Sequence, residues 1–423
     1  MDHVITVLQK VRGLTLPALD PSRPPEGQLA ALQAATALHL LNAGANMLLM
    51  QTAGVAVPAP PSPGAAPKPM PPAPAPAVTV PVPARAKAPE LIAVRRIAPA
   101  GIAVPRTFTV PVETAATAVR TVTLGGSGTR AAVTIGGAAT LPFRHFEGDT
   151  GRRPVVAMEV FDSEPKGYPP SLRTAYGSLL TDPAAMARHC VEALGAEVIS
   201  VRLQGTHPDC GDRSPEEAVA VVAAVLQAVQ VPLIITGSSH IEKNNAVMKQ
   251  IAAAFPGENL LLNWVETDNY KTIAAAAMAY NHRVVAQSPI DVNMAKQLNI
   301  LLTNMGVVPD RILIDPFTGS VGYGLEYTYS VMERIRTATF AGDAMLAMPM
   351  LVTPGYEVAR AKESRAPQSA FPHWGPEDER GALLEIATAM SLLNAGADLV
   401  ILYHPVAAHA VKRKLVEMTT VGG

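Results

Sequence analysis

The 423-residue chain has few cysteines, few aromatic residues and almost no net charge. Its two cysteines, Cys190 and Cys210, cannot supply the four ligands of an iron–sulfur cluster. They also argue against a disulfide scaffold, which favours a reducing cytoplasm. A formal charge of -1 argues against nucleic acid as a partner. No apolar run approaches the ~20 residues of a membrane span, and the first ten residues lack a secretory-signal pattern. We therefore expect a cytoplasmic protein without nucleic-acid or membrane partners.

Proline is abundant in one stretch, since residues 56–90 contain 13 of the 39 prolines. Such a sequence cannot form a helix or a central strand, so we predict an extended Pro/Ala-rich linker over residues 56–100. It separates off residues 1–55, which we interpret as a small helical docking piece. Within that piece, residues 35–50 match residues 387–402 at nine of sixteen positions. We interpret this match as a partial duplication of one helix–strand unit, with chance similarity as the alternative.

β-forming residues mark the next region, residues 101–153. The stretches VRTVTL and AAVTIGG flank a GGSGTR sequence whose glycines can adopt positive φ, which is typical of a β-hairpin. We predict that this hairpin closes one end of the following domain.

Short apolar runs alternate with helical patterns from residue 154 to residue 423. Asp182 before Pro183 and Ser214 before Pro215 predict two helix starts. Runs that are apolar throughout are typical of parallel strands covered on both faces. Eight units over about 250 residues predict an α/β fold of the (β/α)8 TIM barrel type, with a doubly wound open sheet as the alternative. The runs are residues 155–160, 197–203, 232–237, 260–265, 283–288, 311–315, 347–352 and 399–404.

Polar residues cluster where these runs end, and the carboxyl ends of barrel strands are where function usually lies. We therefore expect one end of the barrel to contact a polar ligand or partner. Asp315 could instead only accept N–H groups of its own loop. We assign no catalytic residue. The candidates for ligand contact are Asn263, Ser288, Asp315, Thr318, Gly319, Tyr323, Thr353 and His404.

The segment IDPFTGSVGYGLEYTYSVMERIR, residues 314–336, raises the sharpest question, because glycines and tyrosines crowd the turn between its strand and its helix. The glycine spacing matches neither the dinucleotide fingerprint nor the phosphate loop of nucleotide-binding proteins. Glycine backbone beside aromatic rings suits either a large flat cofactor or a partner protein, and the sequence leaves both open.

A zinc site is suggested by His207, Asp209 and Cys210, but no second cluster at metal-ligand spacing accompanies them. We therefore predict no metal site in this chain. No Gly-x-Ser-x-Gly and no Cys–His–Asn arrangement indicates nucleophilic hydrolysis.

Four long stretches closely resemble the small subunit of the corrinoid iron–sulfur protein, also called the delta subunit of acetyl-CoA decarbonylase/synthase. The resemblance covers roughly residues 105–416. One departure is Phe317 in DPFTG, where the family typically has a second threonine; this changes the polarity of the loop. The four stretches are residues 141–162, 257–307, 314–336 and 392–405.

The resemblance implies a TIM barrel related to pterin-binding methyltransferases. It implies a heterodimer with a large (gamma) subunit that holds both a 4Fe–4S cluster and the corrinoid (cobamide). The complex would carry a methyl group from a methyl-tetrahydropterin to acetyl-CoA synthase in the anaerobic Wood–Ljungdahl pathway of carbon fixation. The methyl-tetrahydropterin methyltransferase and acetyl-CoA synthase would be transient partners. Since this chain has no D-x-H-x-x-G signature, the corrinoid would be held mainly by the partner and contacted here at the interface.

Two functions from different classes follow from this reading. The first is a non-catalytic subunit that covers the corrinoid during methyl transfer. The alternative is a methyltransferase barrel that binds methyl-tetrahydropterin itself, with Asn263 and Asp315 placed to read the pterin edge. An aldolase-type barrel has less support, because no lysine stands at a strand end where a Schiff base would form.

Overall fold

The computed structural model describes residues 111–420 except residues 129, 166 and 320. The predicted docking piece at residues 1–55 and the predicted linker at residues 56–100 lie outside the described residues. So do the first ten residues of the predicted closure region.

A two-stranded hairpin precedes an eight-stranded parallel sheet in the described part of the chain. The hairpin strands are β1 Val122–Gly125 and β2 Ala132–Ile135. The sheet consists of β3 Val155–Phe161, β4 Val198–Arg202, β5 Leu233–Thr236, β6 Leu261–Val265, β7 Arg283–Gln287, β8 Ile312–Asp315, β9 Leu351–Val352 and β10 Leu399–Leu402.

The helices alternate with these strands, as the sequence predicts. They are α1 Pro170–Tyr176, α2 Pro183–Glu192, α3 Pro215–Ala228, α4 Ile241–Ala254, α5 Tyr270–Tyr280, α6 Val292–Asn304, α7 Leu325–Phe340, α8 Pro354–Arg360, α9 Lys362–Arg365, α10 Glu377–Asn394 and α11 Pro405–Thr420. The two predicted helix starts are confirmed. Asp182 accepts the N–H of Ala185 at 2.9 Å, and Ser214 forms a reciprocal capping box with Glu217.

The sheet is a closed barrel, so the doubly wound alternative is excluded. Its strand order is β8-β7-β6-β5-β4-β3-β10-β9. A parallel bridge between Ile314 and Met350 joins the two ends of that order. The predicted TIM barrel is therefore confirmed.

Strand β9 is shorter than the sequence predicts, because only Leu351 and Val352 of the run 347–352 belong to it. Pro349 has no N–H to donate to a ladder. The carbonyl of Ala347 accepts the N–H of Arg120 instead, at 2.7 Å. The seam between β8 and β9 is thus made of isolated contacts rather than a continuous ladder.

The hairpin closes the amino end of the barrel, as predicted. Val122, Leu124 and Ile135 join one apolar cluster with the inward-facing residues of the barrel strands. The outward-facing strand residues form the larger cluster under the helices. The hairpin therefore serves as the floor of the barrel interior.

Truncating this floor should destabilise the fold strongly. We expect Leu124→Ala to lower the free energy of unfolding by about 2–5 kcal/mol, because the buried leucine leaves a cavity that the rigid barrel cannot collapse. Chemical denaturation measures the change, and Val112→Ala, at an exposed position of the same region, should change it by less than about 0.5 kcal/mol. Equal losses of stability from the two substitutions would contradict the role of the hairpin as the floor of the barrel interior.

No helix in the described ranges is long and apolar enough to cross a membrane.

Candidate functional site

The barrel interior changes from apolar to polar toward the carboxyl ends of the strands. Because strand side chains alternate, a residue two positions after an inward-facing apolar residue also points into the barrel. In β4, for example, Val198 faces the apolar layer, whereas Ser200 and Arg202 belong to the polar one. The buried residues of that upper layer are Glu159, Ser200, Arg202, Thr236, Asn263, Asp315, Thr353 and Tyr403.

Glu159 is the centre of this layer and accepts three hydrogen bonds. Arg202 donates from Nε at 2.5 Å, and Ser200 donates from Oγ at 2.7 Å. The Tyr403 hydroxyl donates the third; burial raises the pKa of Tyr403 well above its usual value, which keeps the phenol protonated. Glu159 and its donors therefore form one fully paired cluster with its charge neutralised.

Arg202 also fills the mouth of the barrel. Its guanidinium lies 3.8 Å from the ring centroid of Tyr356, which follows β9. Burial raises the pKa of Asp315 on β8, across the barrel from β4, and the Arg202 charge opposes that shift only weakly. The space on the barrel axis is thus occupied by the protein's own side chains.

Asp315 at the end of β8 organises the following loop. Its carboxylate accepts Gln287 Nε2 and the N–H of Phe317, both at 2.8 Å. Burial nevertheless raises the pKa of Asp315 to about 6. Asp315 therefore acts as an acceptor for the N–H of its own loop, which is the alternative to a ligand role that the sequence left open.

Glu385 on α10 supports the end of β10 from behind. Its carboxyl accepts the N–H of Tyr403 at 2.6 Å and the N–H of His404 at 3.2 Å. Burial raises the pKa of Glu385 from the usual 4.5 to about 8, although these hydrogen bonds oppose the shift. Glu385 thus holds Tyr403 against Glu159 while remaining largely protonated at neutral pH.

This raised pKa predicts a pH dependence of stability. Between pH 4.5 and about 8 the unfolded chain has released the Glu385 proton while the folded chain retains it. The free energy of unfolding should therefore fall as pH rises through that window. Glu385→Gln should show a flatter profile and gain stability relative to wild type as pH increases, measured by denaturant titration at several pH values. The exposed Glu379→Gln, on the same helix, is the control, and parallel profiles for all three proteins would contradict the prediction.

The glycine-rich loop after β8 is tied to the next strand and carries exposed tyrosines. Thr318 Oγ1 accepts the N–H of Thr353 at 3.1 Å. Gly324 has a φ of +131°, which only glycine adopts without strain. Tyr323 in the loop is 90% exposed, and Tyr327 in the first turn of α7 is 61% exposed. The loop therefore presents aromatic surface at the carboxyl end of the barrel.

A cavity of about 260 Å³ opens beside this loop, and we call it the rim cavity. Ser288 and Leu298 lie at its buried base, whereas Met294 and Phe317 are part-exposed. Its lining residues are Glu266, Thr267, Gln287, Ser288, Pro289, Met294, Leu298 and Phe317.

The eight sequence-predicted contact residues all lie at the carboxyl ends of strands β6 to β10, but they differ in access. Thr353 and His404 are nearly buried, and Tyr323 is open. Burial holds the pKa of His404 below its usual value. Asn263, Ser288, Asp315 and Thr318 are each at most 2% exposed. These four side chains therefore contribute almost no exposed surface to the rim.

Several residues of the site were not identified from the sequence, above all Arg202, Tyr356 and Glu385. Arg202 had a detectable signal, since it is a charged residue two positions after Ser200 in an otherwise apolar strand. Tyr356 and Glu385 lie in helices and carry no such local signal.

No group of three or more His, Cys, Asp or Glu side chains is positioned to hold a metal within the described ranges. Of the residues considered for zinc, Cys210 is an exposed free cysteine. His207 lies 6.1 Å from His240, ring centre to ring centre. His207 Nδ1 accepts the backbone N–H of Asp209, and His240 Nδ1 accepts that of Lys243 in the first turn of α4.

A family profile described as CO dehydrogenase/acetyl-CoA synthase delta subunit matches residues 121–412. The chain is similar to the acetyl-CoA decarbonylase/synthase complex subunit delta of Methanocaldococcus jannaschii, with 35% identity over 69% of this chain and 71% of that protein. The protein of the same name from Archaeoglobus fulgidus is 36% identical over 69% of this chain and 64% of its own length. That of Methanothermobacter thermautotrophicus is 37% identical over 68% of this chain and 72% of its own length.

Among solved structures, the chain is similar to dihydropteroate synthase from Xanthomonas albilineans, with a TM-score of 0.44 and 17% identity over 64% of this chain and 93% of that one. The enzyme from Thermus thermophilus gives a TM-score of 0.44 and 16% identity over 72% of this chain and 100% of that one.

Proposed function

Because the chain belongs to the family of CO dehydrogenase/acetyl-CoA synthase delta subunits, we propose that it covers a corrinoid held by a large partner subunit. The relatives are named as subunits of an acetyl-CoA decarbonylase/synthase complex, which supports a role within such a complex. The large subunit would be its stable partner. The methyl-tetrahydropterin methyltransferase and acetyl-CoA synthase would then meet the same corrinoid in turn.

The filled mouth of the barrel is the observation that carries this proposal. Arg202, Glu159 and Tyr403 are buried and paired with one another at the top of the barrel interior, so a ligand would meet the loops above them, where this fold places its sites. What the barrel offers is a rim, with Gly319 and the exposed Tyr323 beside it. A flat macrocycle suits such a surface better than it suits a pocket, because the exposed tyrosine ring supplies apolar contact area.

In this role the chain excludes water and fixes the orientation of the ligand. A bound corrinoid would supply the methyl-carrying cobalt, while this chain would shield it from solvent. Tyr323 would make direct contact. Thr318, through its hydrogen bond to the N–H of Thr353, would hold the loop that carries Tyr323.

Anaerobic co-expression of the full chain with the large subunit tests the proposal. We expect the two to purify together with corrinoid. Tyr323→Ser should weaken the association at least about tenfold, as loss of an aromatic contact does at the centre of an interface. Tyr280→Ser is the matched control, since Tyr280 is a part-exposed tyrosine at the amino end of the barrel. A barrel that retains corrinoid equally well without its partner would overturn the proposal.

One observation keeps the methyltransferase alternative as a second candidate. Asn263 donates from Nδ2 to Thr236 at 3.1 Å, but its buried Oδ1 has no hydrogen-bond partner. A free acceptor inside the barrel could receive a donor from a pterin edge. Calorimetry of the purified chain with methyl-tetrahydropterin separates the two cases, because micromolar binding by the chain alone would favour the methyltransferase.

A further inference from the structure

The rim cavity has a preformed aromatic wall. The Phe317 ring lies so close to Gly319 that a Cβ on that glycine would sit 2.1 Å from Phe317 Cε1. The backbone of Phe317 is fixed at both ends, since its N–H donates to Asp315 at 2.8 Å and its carbonyl accepts Thr328 Oγ1 at 3.1 Å. Phe317 itself has a φ of +67°, which is uncommon for a non-glycine residue and aims its side chain to one side of the loop. The wall therefore exists before any ligand arrives.

The base of the cavity contains an unsatisfied polar group. Ser288 is nearly fully buried, and its Oγ has no hydrogen-bond partner. A buried hydroxyl left unpaired costs free energy. Its position among Leu298, Met294 and Phe317 is the arrangement of a small-molecule site, with apolar walls and one polar group that fixes orientation.

The charge of the lining selects the kind of ligand. None of the eight lining residues is basic, and Glu266 contributes a carboxylate. Glu266 Oε1 accepts the indole N–H of Trp264 at 2.7 Å, and its backbone N–H donates to Asn269 Oδ1 at 2.8 Å. These contacts hold the carboxylate in place at the cavity. An anion would meet repulsion there, whereas an N–H donor would find an acceptor.

We propose that the rim cavity binds a planar aryl or heteroaryl group carrying a neutral or cationic N–H donor, such as an amide or an amidine. The ring packs between Phe317, Met294 and Leu298, and the donor reaches Glu266 or the Ser288 hydroxyl. The volume of about 260 Å³ fits one ring or two small fused rings. The cavity belongs to the chain by itself, so this site stands whether or not the protein covers a corrinoid.

The two tryptophans of the chain provide a direct reporter. Trp264 is hydrogen-bonded to the lining residue Glu266, and the other tryptophan is Trp374. In the full chain carrying Trp374→Phe, emission therefore comes from Trp264 alone. Benzamidine, benzamide and benzoate share one shape and differ in charge. We expect saturable changes in emission with dissociation constants on the order of 1 mM for benzamidine and benzamide, and at least about tenfold weaker binding of benzoate.

Substitutions then assign the binding to the cavity. Phe317→Ala should weaken benzamide and benzamidine binding at least about fivefold, because it removes the wall. Tyr327→Ala, which removes an exposed aromatic ring near the same loop but outside the lining, should leave both unchanged. Glu266→Gln should weaken benzamidine binding, because it removes the carboxylate that faces the cation, while benzamide still binds. Retained benzamide binding would show that the variant is folded. Equal binding of benzoate, no saturable binding of any probe, or indifference to Phe317→Ala would each overturn the proposal.

Discussion

Replacing Arg202 by methionine is expected to lower the free energy of unfolding by about 3–5 kcal/mol. The substitution leaves the Glu159 carboxylate buried with only Ser200 and Tyr403 as donors, and an uncompensated buried charge is costly. It also removes the guanidinium that stacks on Tyr356. Equilibrium denaturation in urea measures the loss.

A double-mutant cycle separates the ion pair from the packing. Glu159→Gln combined with Arg202→Met removes both charges, so the double variant should be more stable than Arg202→Met alone. The half-exposed pair Arg153–Glu197, at 2.9 Å, is the control, and Arg153→Met should cost no more than about 1 kcal/mol. If the loss in the double variant equals the sum of the losses in Glu159→Gln and Arg202→Met alone, Glu159 and Arg202 are not coupled.

Replacing Arg336 by methionine should lower the free energy of unfolding by a similar amount, about 3–5 kcal/mol, because it leaves the Asp398 carboxylate buried without its partner. Arg336 is almost fully buried and donates to the carbonyls of Gly396 and Met348, at 2.6 Å and 3.2 Å. It also pairs with Asp398, whose carboxylate accepts the N–H of Met350 at 2.7 Å. These contacts hold the segment before β9, where the barrel closes through isolated bonds. Loss of Arg336 should therefore weaken closure itself.

The surface pair Lys296–Asp343, at 2.7 Å, is the control for Arg336. Lys296→Met should cost less than about 1 kcal/mol, because an exposed ion pair contributes little. Hydrogen exchange localises the effect, and in the Arg336 variant the amides of β8 and of residues 347–352 should lose protection first. Uniform loss over the whole barrel would show that the seam is no weaker than the rest.

Both clusters bear on the proposed function. Arg202 closes the carboxyl end of the barrel against solvent, and Arg336 keeps the ring of strands closed at the amino ends of β9 and β10. A rigid rim costs little conformational entropy when it meets a large ligand or a partner, because its residues are ordered beforehand. The same rigidity keeps Phe317 in place as a wall of the rim cavity.

The eight strand–helix units, their order and the hairpin floor could be predicted from the sequence, because apolar runs, capping residues and glycine turns are local signals. The same local signals placed Asn263, Ser288, Asp315 and Thr353 at strand ends, and parallel strands bring all such ends to one side of a barrel. The shortening of β9 was not predicted, although Pro349 is a local signal for it. Its second cause, the use of the Ala347 carbonyl by Arg120 in the distant hairpin region, is not local.

Tertiary structure alone decided which of these residues touch one another and which are open to a ligand. The hydroxyl of Tyr403 reaches Glu159 across 244 positions of sequence, and Glu385 supports Tyr403 from a helix. No periodicity or spacing encodes such contacts, because they arise only when the ring of strands closes. Closure also buried six of the eight predicted contact residues and left Tyr323 exposed, since accessibility is a property of the packed surface and not of the local sequence.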